Sequence, residues 1–435
     1  MVAYRAGAPI LAGQFLSDVD RLARSLPPCR HVLNTCTDRY HFTVGLAAAL
    51  SSGRVSLLPS SQAPELLRQL GAFAPDAICL TDEDGTTALP RLLYPRGPAS
   101  PGAADGAVPQ IDEAQLLAYV FTSGSTGTPL PHRKSFGLLL RCVREEARRL
   151  ELGGREPWTI LATVPPQHMF GLESSGLLAL ANGHALCAER PFYPADIVAA
   201  LERLPRPRAL VTTPVHLRAL QSSGVALPAV DLVLCSTAPL PQQLAAETER
   251  RFKTRLLEIY GSTETGQIAA RRPTQTAEWR LWPGVSLEPA GETSRAQGGH
   301  IEQPTLLSDV VEMTGRHTFL LHGRVSDLVN IAGKRSSLAY LNHQLNSIPG
   351  VEDGAFFHTE EPTDSHTGVA RVAACVVAPR LDAAQLLEAL RQRIDAVFLP
   401  RPLLFVAQLP RNDTGKLPMA ALRALSAQSK SATPV

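Results

Sequence analysis

A mixed α/β chain of two unequal domains, built mainly on parallel sheet, is the fold class this sequence predicts. Three observations lead there. Short apolar strand-like runs alternate with helical patterns from residue 11 to about residue 260, as expected of strands joined by helical crossovers. Four successive strand-like runs in the second part of that stretch end in loops of small and polar residues. Open α/β sheets hold their ligands at such carboxyl ends. Beyond residue 327 the pattern becomes a smaller α+β unit. At 435 residues the chain exceeds one small core, so a large domain (1–325) and a small one (326–435) are expected.

Residues 11–25 carry a helical pattern, His31–Cys36 reads as a strand, and Phe42–Leu50 as a helix ending at Gly53. Val55–Leu58 and Ala77–Leu80 read as strands around a helix at Pro64–Leu70. Residues 94–109 hold four prolines and three glycines and read as an exposed connection. The four strands with polar ends are Thr159–Val164, Ala209–Pro214, Asp231–Cys235 and Arg255–Tyr260, with a helix at Gln242–Phe252. Past Trp282 come strand-like pieces at Val285–Glu288, His300–Glu302 and Phe319–Leu321, a small β subdomain. The second domain reads as strands at Val329–Ile331, Ala355–His358, Ala370–Ala378 and Leu403–Val406. Its helices fall near Ala339–Ser347 and at Asp382–Val397.

The stretch that organises the rest is Phe121-Thr-Ser-Gly-Ser-Thr-Gly-Thr-Pro-Leu-Pro-His132. An apolar strand end at Val120-Phe121 precedes it. From Ser135 to Leu150 apolar residues recur at helical spacing (Phe136, Leu139, Leu140, Val143). Gly124 and Gly127 let the backbone approach an anion, and Thr122, Ser123, Ser125, Thr126 and Thr128 add hydroxyl donors. A phosphate-holding loop between strand and helix is the reading; a solvated Ser/Gly linker is the alternative. No Gly-Lys-Ser/Thr follows the glycines, so this is not a P-loop.

Composition narrows the class. The chain is 44% hydrophobic and 19% charged, with a net charge of +2, which fits a globular protein and supplies no bulk field for nucleic acid or an anionic membrane. No run of eighteen apolar residues occurs, so no membrane span is expected. The start lacks the apolar core of a signal peptide. The seven cysteines are scattered, without a Cys-x-x-Cys pair, so buried thiols in a reducing cytoplasm are expected rather than disulfides or zinc knuckles.

Four stretches together resemble the adenylate-forming superfamily of acyl- and aryl-CoA synthetases, peptide-synthetase adenylation domains and luciferases. Thr122–Pro129 is similar to that family's phosphate loop. Tyr260-Gly261-Ser262-Thr263-Glu264 is similar to its Tyr-Gly-x-Thr-Glu. Asp309, Gly323-Arg324 and Gly333-Lys334-Arg335 match three signatures, with Asp309 and Arg324 fifteen residues apart. Pro410-Arg411-Asn-Asp-Thr-Gly-Lys416 resembles the terminal motif. The resemblance spans roughly residues 30–423.

It implies ATP and Mg²⁺ as cofactors, a carboxylate attacking the α-phosphate, and pyrophosphate leaving. By that resemblance Thr122, Ser123, Ser125, Thr126 and Thr128 bind the β- and γ-phosphates. Thr263 contacts the α-phosphate, Glu264 holds the metal, and Lys416 stabilises the developing charge. Tyr260 stacks on adenine, Asp309 accepts from the ribose hydroxyls, Arg324 assists, and Gly261 and Arg335 border the nucleotide. A packed core tyrosine, an exposed strand-end acid and a solvated tail lysine are the plain alternatives for Tyr260, Glu264 and Lys416. The small domain is implied to be mobile, turning on a hinge after Arg324, where Ser326 stands in place of the usual Asp or Lys. Two departures stand out: Leu130 replaces the loop lysine, for which Arg133 or Lys134 could substitute, and Asn342 replaces a glutamate of the first small-domain helix.

For the acid, the resemblance places Met169, Phe170, Pro214, Ser236, Thr237, Ala238, Ile259 and Gln267 around a modest pocket, with Ser236–Ala238 also bordering the nucleotide. His168 lies at its edge, either beside the acid or as a structural histidine. No acidic residue is expected in that pocket, which argues against an α-amino acid. An aromatic acid, such as a hydroxybenzoate, fits better than a long fatty chain. The chain resembles small stand-alone ligases of xanthomonadin or aryl-polyene pigment pathways, whose acceptor is the phosphopantetheine thiol of an acyl carrier protein; free CoA is the competing acceptor. Arg391, Arg393, Arg401 and Arg411 could meet an acidic carrier. A non-catalytic nucleotide-binding regulator is the reading from another class. A monomer or homodimer is expected.

Overall fold

In the computed structural model, residues 1–59, 63–85, 89–95, 97, 108–123, 129–154, 156–291, 293–324, 328–331, 334–358, 371–411, 417–419, 421–422 and 424–425 are described. Two parallel-centred sheets dominate. The larger is eleven-stranded among the described residues. Its centre runs Arg255–Ser262, Leu232–Cys235, Arg208–Thr212, Thr159–Ala162, Ala185–Cys187 and Ala3–Arg5, all parallel. Its flanks are antiparallel. Four of the core strands are buried along their whole length, as expected for parallel sheet covered on both faces.

The second sheet runs Arg91–Leu93, Ile78–Thr81, His31–Asn34, Val55–Leu58, Leu116–Ser123 and Pro129–Ser135. Only its last pair is antiparallel. A fully buried guanidinium stitches the two sheets together. Arg39, on the helix Arg39–Ser51, donates to the Ala162 and Val164 carbonyls at 3.0 and 2.6 Å and to Ser175 Oγ at 2.7 Å. Burial lowers its pKa to about 10, still far above neutrality, so the cation persists and its hydrogen bonds offset the desolvation. Gln167 adds a second tie, Nε2 to the Cys36 carbonyl at 2.9 Å. Both ties lie at the carboxyl end of Thr159–Ala162, so the strand ends of the two sheets share one floor.

A three-stranded unit follows at Val285–Ala290, Thr293–Gly298 and Thr305–Leu306. The small domain has a core of its own. It joins the hairpin Leu328–Ile331/Lys334–Ser337 and the helix Leu338–Asn346 to a sheet of Asp353–His358, Val372–Val377 and Leu403–Phe405. The division expected between residues 325 and 326 falls on 325–327, outside the described residues. All seven cysteines are free, six of them buried. No described helix is long and apolar enough to cross a membrane.

The structure corrects the reading at three places. The organising loop does not lead from strand to helix. A second strand, Pro129–Ser135, pairs back antiparallel on Leu116–Ser123, and the helix starts only at Phe136. This strand holds the sheet edge, where prolines at 129 and 131 are tolerated because no neighbour needs their N–H. His300–Glu302 is a turn rather than a strand. The helix expected at Asp382–Val397 stops at Arg391, followed by one 3₁₀ turn at Ala396–Phe398.

Candidate active site

The four strands with polar ends lie side by side in the large sheet, so their loops share one rim. Cross-links between loops fix it. Thr163 and Thr212 hydroxyls meet at 3.0 Å, and Ser236 Oγ donates to the Ile259 carbonyl at 2.9 Å. Thr237 adopts φ +82°, a conformation a β-branched residue rarely enters; such strain persists where the surroundings over-determine it.

The segment Tyr260–Gly266 is built by its own small residues. The ladder slips between Tyr260 and Gly261. A Cβ at Gly261 would fall 2.2 Å from the Gly266 carbonyl oxygen, so the bulge requires glycine. Ser262 and Thr265 close the turn reciprocally, each backbone N–H reaching the other's hydroxyl at 3.2 Å. Glu264 and Thr263 emerge from it; the Glu264 side chain is 37% exposed, available to a ligand.

Tyr260 packs its ring against Trp279 and Phe319, at centroid distances of 5.5 and 5.7 Å. Its hydroxyl donates to Asp309 Oδ2 at 2.8 Å. The structure thus brings together two residues 49 positions apart that the motifs assigned to one nucleotide. Asp309 faces Arg324 across the last strand pair; the Arg324 and Arg335 side chains are outside the described residues, as is that of Ser123. Ser125, Thr126, Thr128, Ser326 and Lys416 also lie outside them.

The strand Pro129–Ser135 supplies residues whose roles the sequence did not reveal. Leu130 and Arg133 are exposed. His132 Nε2 meets Thr122 Oγ1 at 2.8 Å and lies 3.6 Å from Glu264 Oε1. Burial lowers the His132 pKa against the pull of Glu264. Lys134 is only 4% exposed, and its Nζ donates to the Glu264 backbone carbonyl at 3.0 Å. Burial lowers its pKa, opposed by Glu173 and Glu302. Lys134 therefore braces the Glu264 turn from beneath.

Gln267 leads into a buried polar cluster. Its Nε2 donates to Ser174 Oγ at 2.8 Å, and Ser174 donates to Glu146 Oε1 at 2.6 Å. Cys142 Sγ lies 3.5 Å from Glu173 Oε1. Burial pushes the Glu146 carboxyl up to about 8 and Glu173 up to about 7. Glu173 and Ser174 sit on a π-helical turn, Leu172–Leu177, a local widening common at functional sites. Two buried glutamates, Glu146 and Glu173, thus stand behind Gln267. Glu146 was legible in principle, since Leu139, Cys142, Val143 and Glu146 share one helical face.

His168 caps the short helical turn before that segment, its Nδ1 accepting from the Phe170 N–H at 3.3 Å. Met169, Phe170, Ile259 and Gln267 are buried, and so is Pro214, the first residue of the helix Pro214–Ser222. Among the described residues no cluster of three or more His, Cys, Asp or Glu could hold a metal alone. A lone accessible carboxylate such as Glu264 suits Mg²⁺, which binds through one or two carboxylates plus substrate phosphates.

The sequence of residues 19–290 matches the family model described as AMP-binding enzyme. The chain belongs to this family of adenylate-forming enzymes. It is thereby an ATP-using, AMP-forming ligase with Mg²⁺ as its usual metal. It is similar to the 4-coumarate–CoA ligase of Rhodobacter capsulatus, with 30% identity over 53% of this chain and 58% of that one. With the 4-coumarate–CoA ligase of Halorhodospira halophila the identity is 29% over 68% and 73% of the two chains. Its fold is similar to that of ATP-bound MatB from Rhodopseudomonas palustris, with a TM-score of 0.81 and 20% identity over 97% and 95% of the chains.

Proposed function

We propose that the chain activates an aromatic, hydroxyl-bearing carboxylic acid as its acyl-adenylate and passes the acyl group to a phosphopantetheine thiol. In the first step a carboxylate oxygen bonds to the α-phosphorus of ATP as the bond to the pyrophosphate leaving group breaks. In the second the thiol sulfur bonds to the acyl carbonyl carbon and AMP leaves.

The Tyr260 hydroxyl on the Asp309 carboxylate supports this reading most directly, because an aromatic ring and a carboxylate then lie together next to the turn that presents Glu264. Asp309 accepts from the ribose, Tyr260 orients it, and Thr122 and Thr263 donate to phosphate oxygens. Glu264 holds Mg²⁺, which neutralises charge on the triphosphate. Lys416 approaches from the small domain to stabilise the charge shared by carboxylate and phosphate. His168 borders the acyl pocket. The amide of Gln267, backed by Ser174 and the glutamates, suits a substrate hydroxyl better than a plain hydrocarbon tail.

Two relatives named as 4-coumarate–CoA ligases support an aromatic acid and CoA as the thiol. A carrier protein presents the same arm. Of the arginines offered for a carrier surface, however, Arg411 is turned inward onto Asp353 and Arg391 pairs with Glu388 at 3.0 Å.

The test is acid-dependent pyrophosphate exchange with a panel of hydroxybenzoates, hydroxycinnamates and fatty acids, then thioester formation with CoA and with a phosphopantetheinylated carrier. Exchange confined to fatty acids would refute the aromatic reading. Nucleotide binding without any exchange would favour the regulator.

A further inference from the structure

An ionic junction joins the two domains. On the large-domain helix Pro214–Ser222, Arg218 Nη1 lies 3.1 Å from Asp353 Oδ1. Asp353 opens the first strand of the small-domain sheet. The same carboxylate is gripped from its own domain by Arg411, Nη2 to Oδ1 and Nε to Oδ2, both at 2.8 Å. The Gly354 N–H donates to Oδ1 at 2.9 Å. The three charged side chains are only 26%, 16% and 21% exposed for Arg218, Asp353 and Arg411.

We propose that Arg218 is a positioning residue that holds the small domain in the arrangement used for adenylation, a role that rests on the two-step reading above. Arg411 lies five residues before Lys416. The Pro214–Ser222 helix begins at the carboxyl end of the core strand Arg208–Thr212. Asp353 therefore couples Arg411, from which the chain runs on to Lys416, to a helix that starts at the strand-end rim. A fork of two guanidiniums on one shielded carboxylate is geometrically demanding. Turning the small domain must separate Arg218 from Asp353, while Arg411 and Asp353 travel together. The junction thus favours one arrangement without touching substrate. Burial lowers the Arg218 pKa, opposed chiefly by Asp353, consistent with a cation that relies on this partner.

The test compares wild type, Arg218→Ala and Arg218→Lys. In Arg218→Ala, acid-dependent pyrophosphate exchange is expected to fall at least tenfold in kcat with the KM for ATP within about twofold. Single-turnover thioester formation from a preformed acyl-adenylate should hold or rise, and Arg218→Lys should recover part of the loss. Small-angle scattering supplies a readout without turnover: Arg218→Ala should have the larger radius of gyration. An equal fall in both half-reactions, or no change in exchange, would overturn the proposal. So would an unchanged scattering curve. Absence of exchange in wild type with every acid would instead sink the two-step reading, and scattering would still decide whether the junction holds the domains.

Discussion

Replacing Glu146 by glutamine isolates the chemistry of the buried cluster. The folded carboxyl is raised from an ordinary value of 4.5 to about 8, chiefly by burial. Over the interval between those values the folded state keeps a proton the unfolded chain has released. Its contribution to stability is complete below about 4.5 and is lost as pH rises through 8. Between pH 7 and 9 the unfolded glutamate is ionised throughout, and the folded one goes from mostly protonated to mostly ionised. Integrating its occupancy across that window gives about 1.4 kcal/mol. Glutamine cannot titrate and still offers an oxygen to Ser174. The wild-type stability, less that of Glu146→Gln, should therefore drop by about 1.4 kcal/mol from pH 7 to 9. Urea unfolding followed by tryptophan fluorescence reads this, since Trp158, Trp279 and Trp282 all precede residue 325. The buried thiols Cys36 and Cys235, also raised by burial, lower alkaline stability equally in both proteins and cancel. Parallel pH profiles for the two proteins would refute the assignment of a protonated carboxyl at Glu146.

Three further substitutions probe the rest of the site. Tyr260→Phe keeps the ring and removes the hydrogen bond to Asp309. The KM for ATP should rise about tenfold, as for a hydrogen bond to a charged group, and an unchanged KM would detach that pair from the nucleotide. Glu264→Gln leaves the backbone carbonyl for Lys134 but removes the anion. The Mg²⁺ concentration giving half-maximal exchange should rise at least tenfold, and an unaltered titration would remove Glu264 from the metal. Lys134→Met strips the brace from the turn and the cation from Glu173. We expect about 3 kcal/mol of lost stability and at least a tenfold slower exchange; denaturant curves matching wild type would show that the brace is dispensable.

Much of this was legible from order and periodicity. The core strands, the helix Gln242–Phe252 and the sharing of one rim by four polar loops followed from alternation and strand-end chemistry. Tyr260 and Asp309 could be named from motifs, but their meeting depends on flanking antiparallel strands that carry no strong pattern. Pro129–Ser135 escaped because prolines and charges disguise an edge strand. Lys134 escaped with it, since a lysine beside an arginine and a histidine reads as solvated until the alternation of that strand turns it inward. Glu173 had no periodic signal, because a π-helical turn breaks the spacing on which such signals depend.

The bond from Lys134 to the Glu264 carbonyl has a bearing on engineering. The backbone strand that returns from the glycine–hydroxyl turn carries the side chain that props up the metal-side turn, so the two are mechanically a single part. Grafting either one alone from a relative would leave a buried ammonium or an orphaned carbonyl behind. Chimeras that exchange both segments together should express and turn over where single swaps fail.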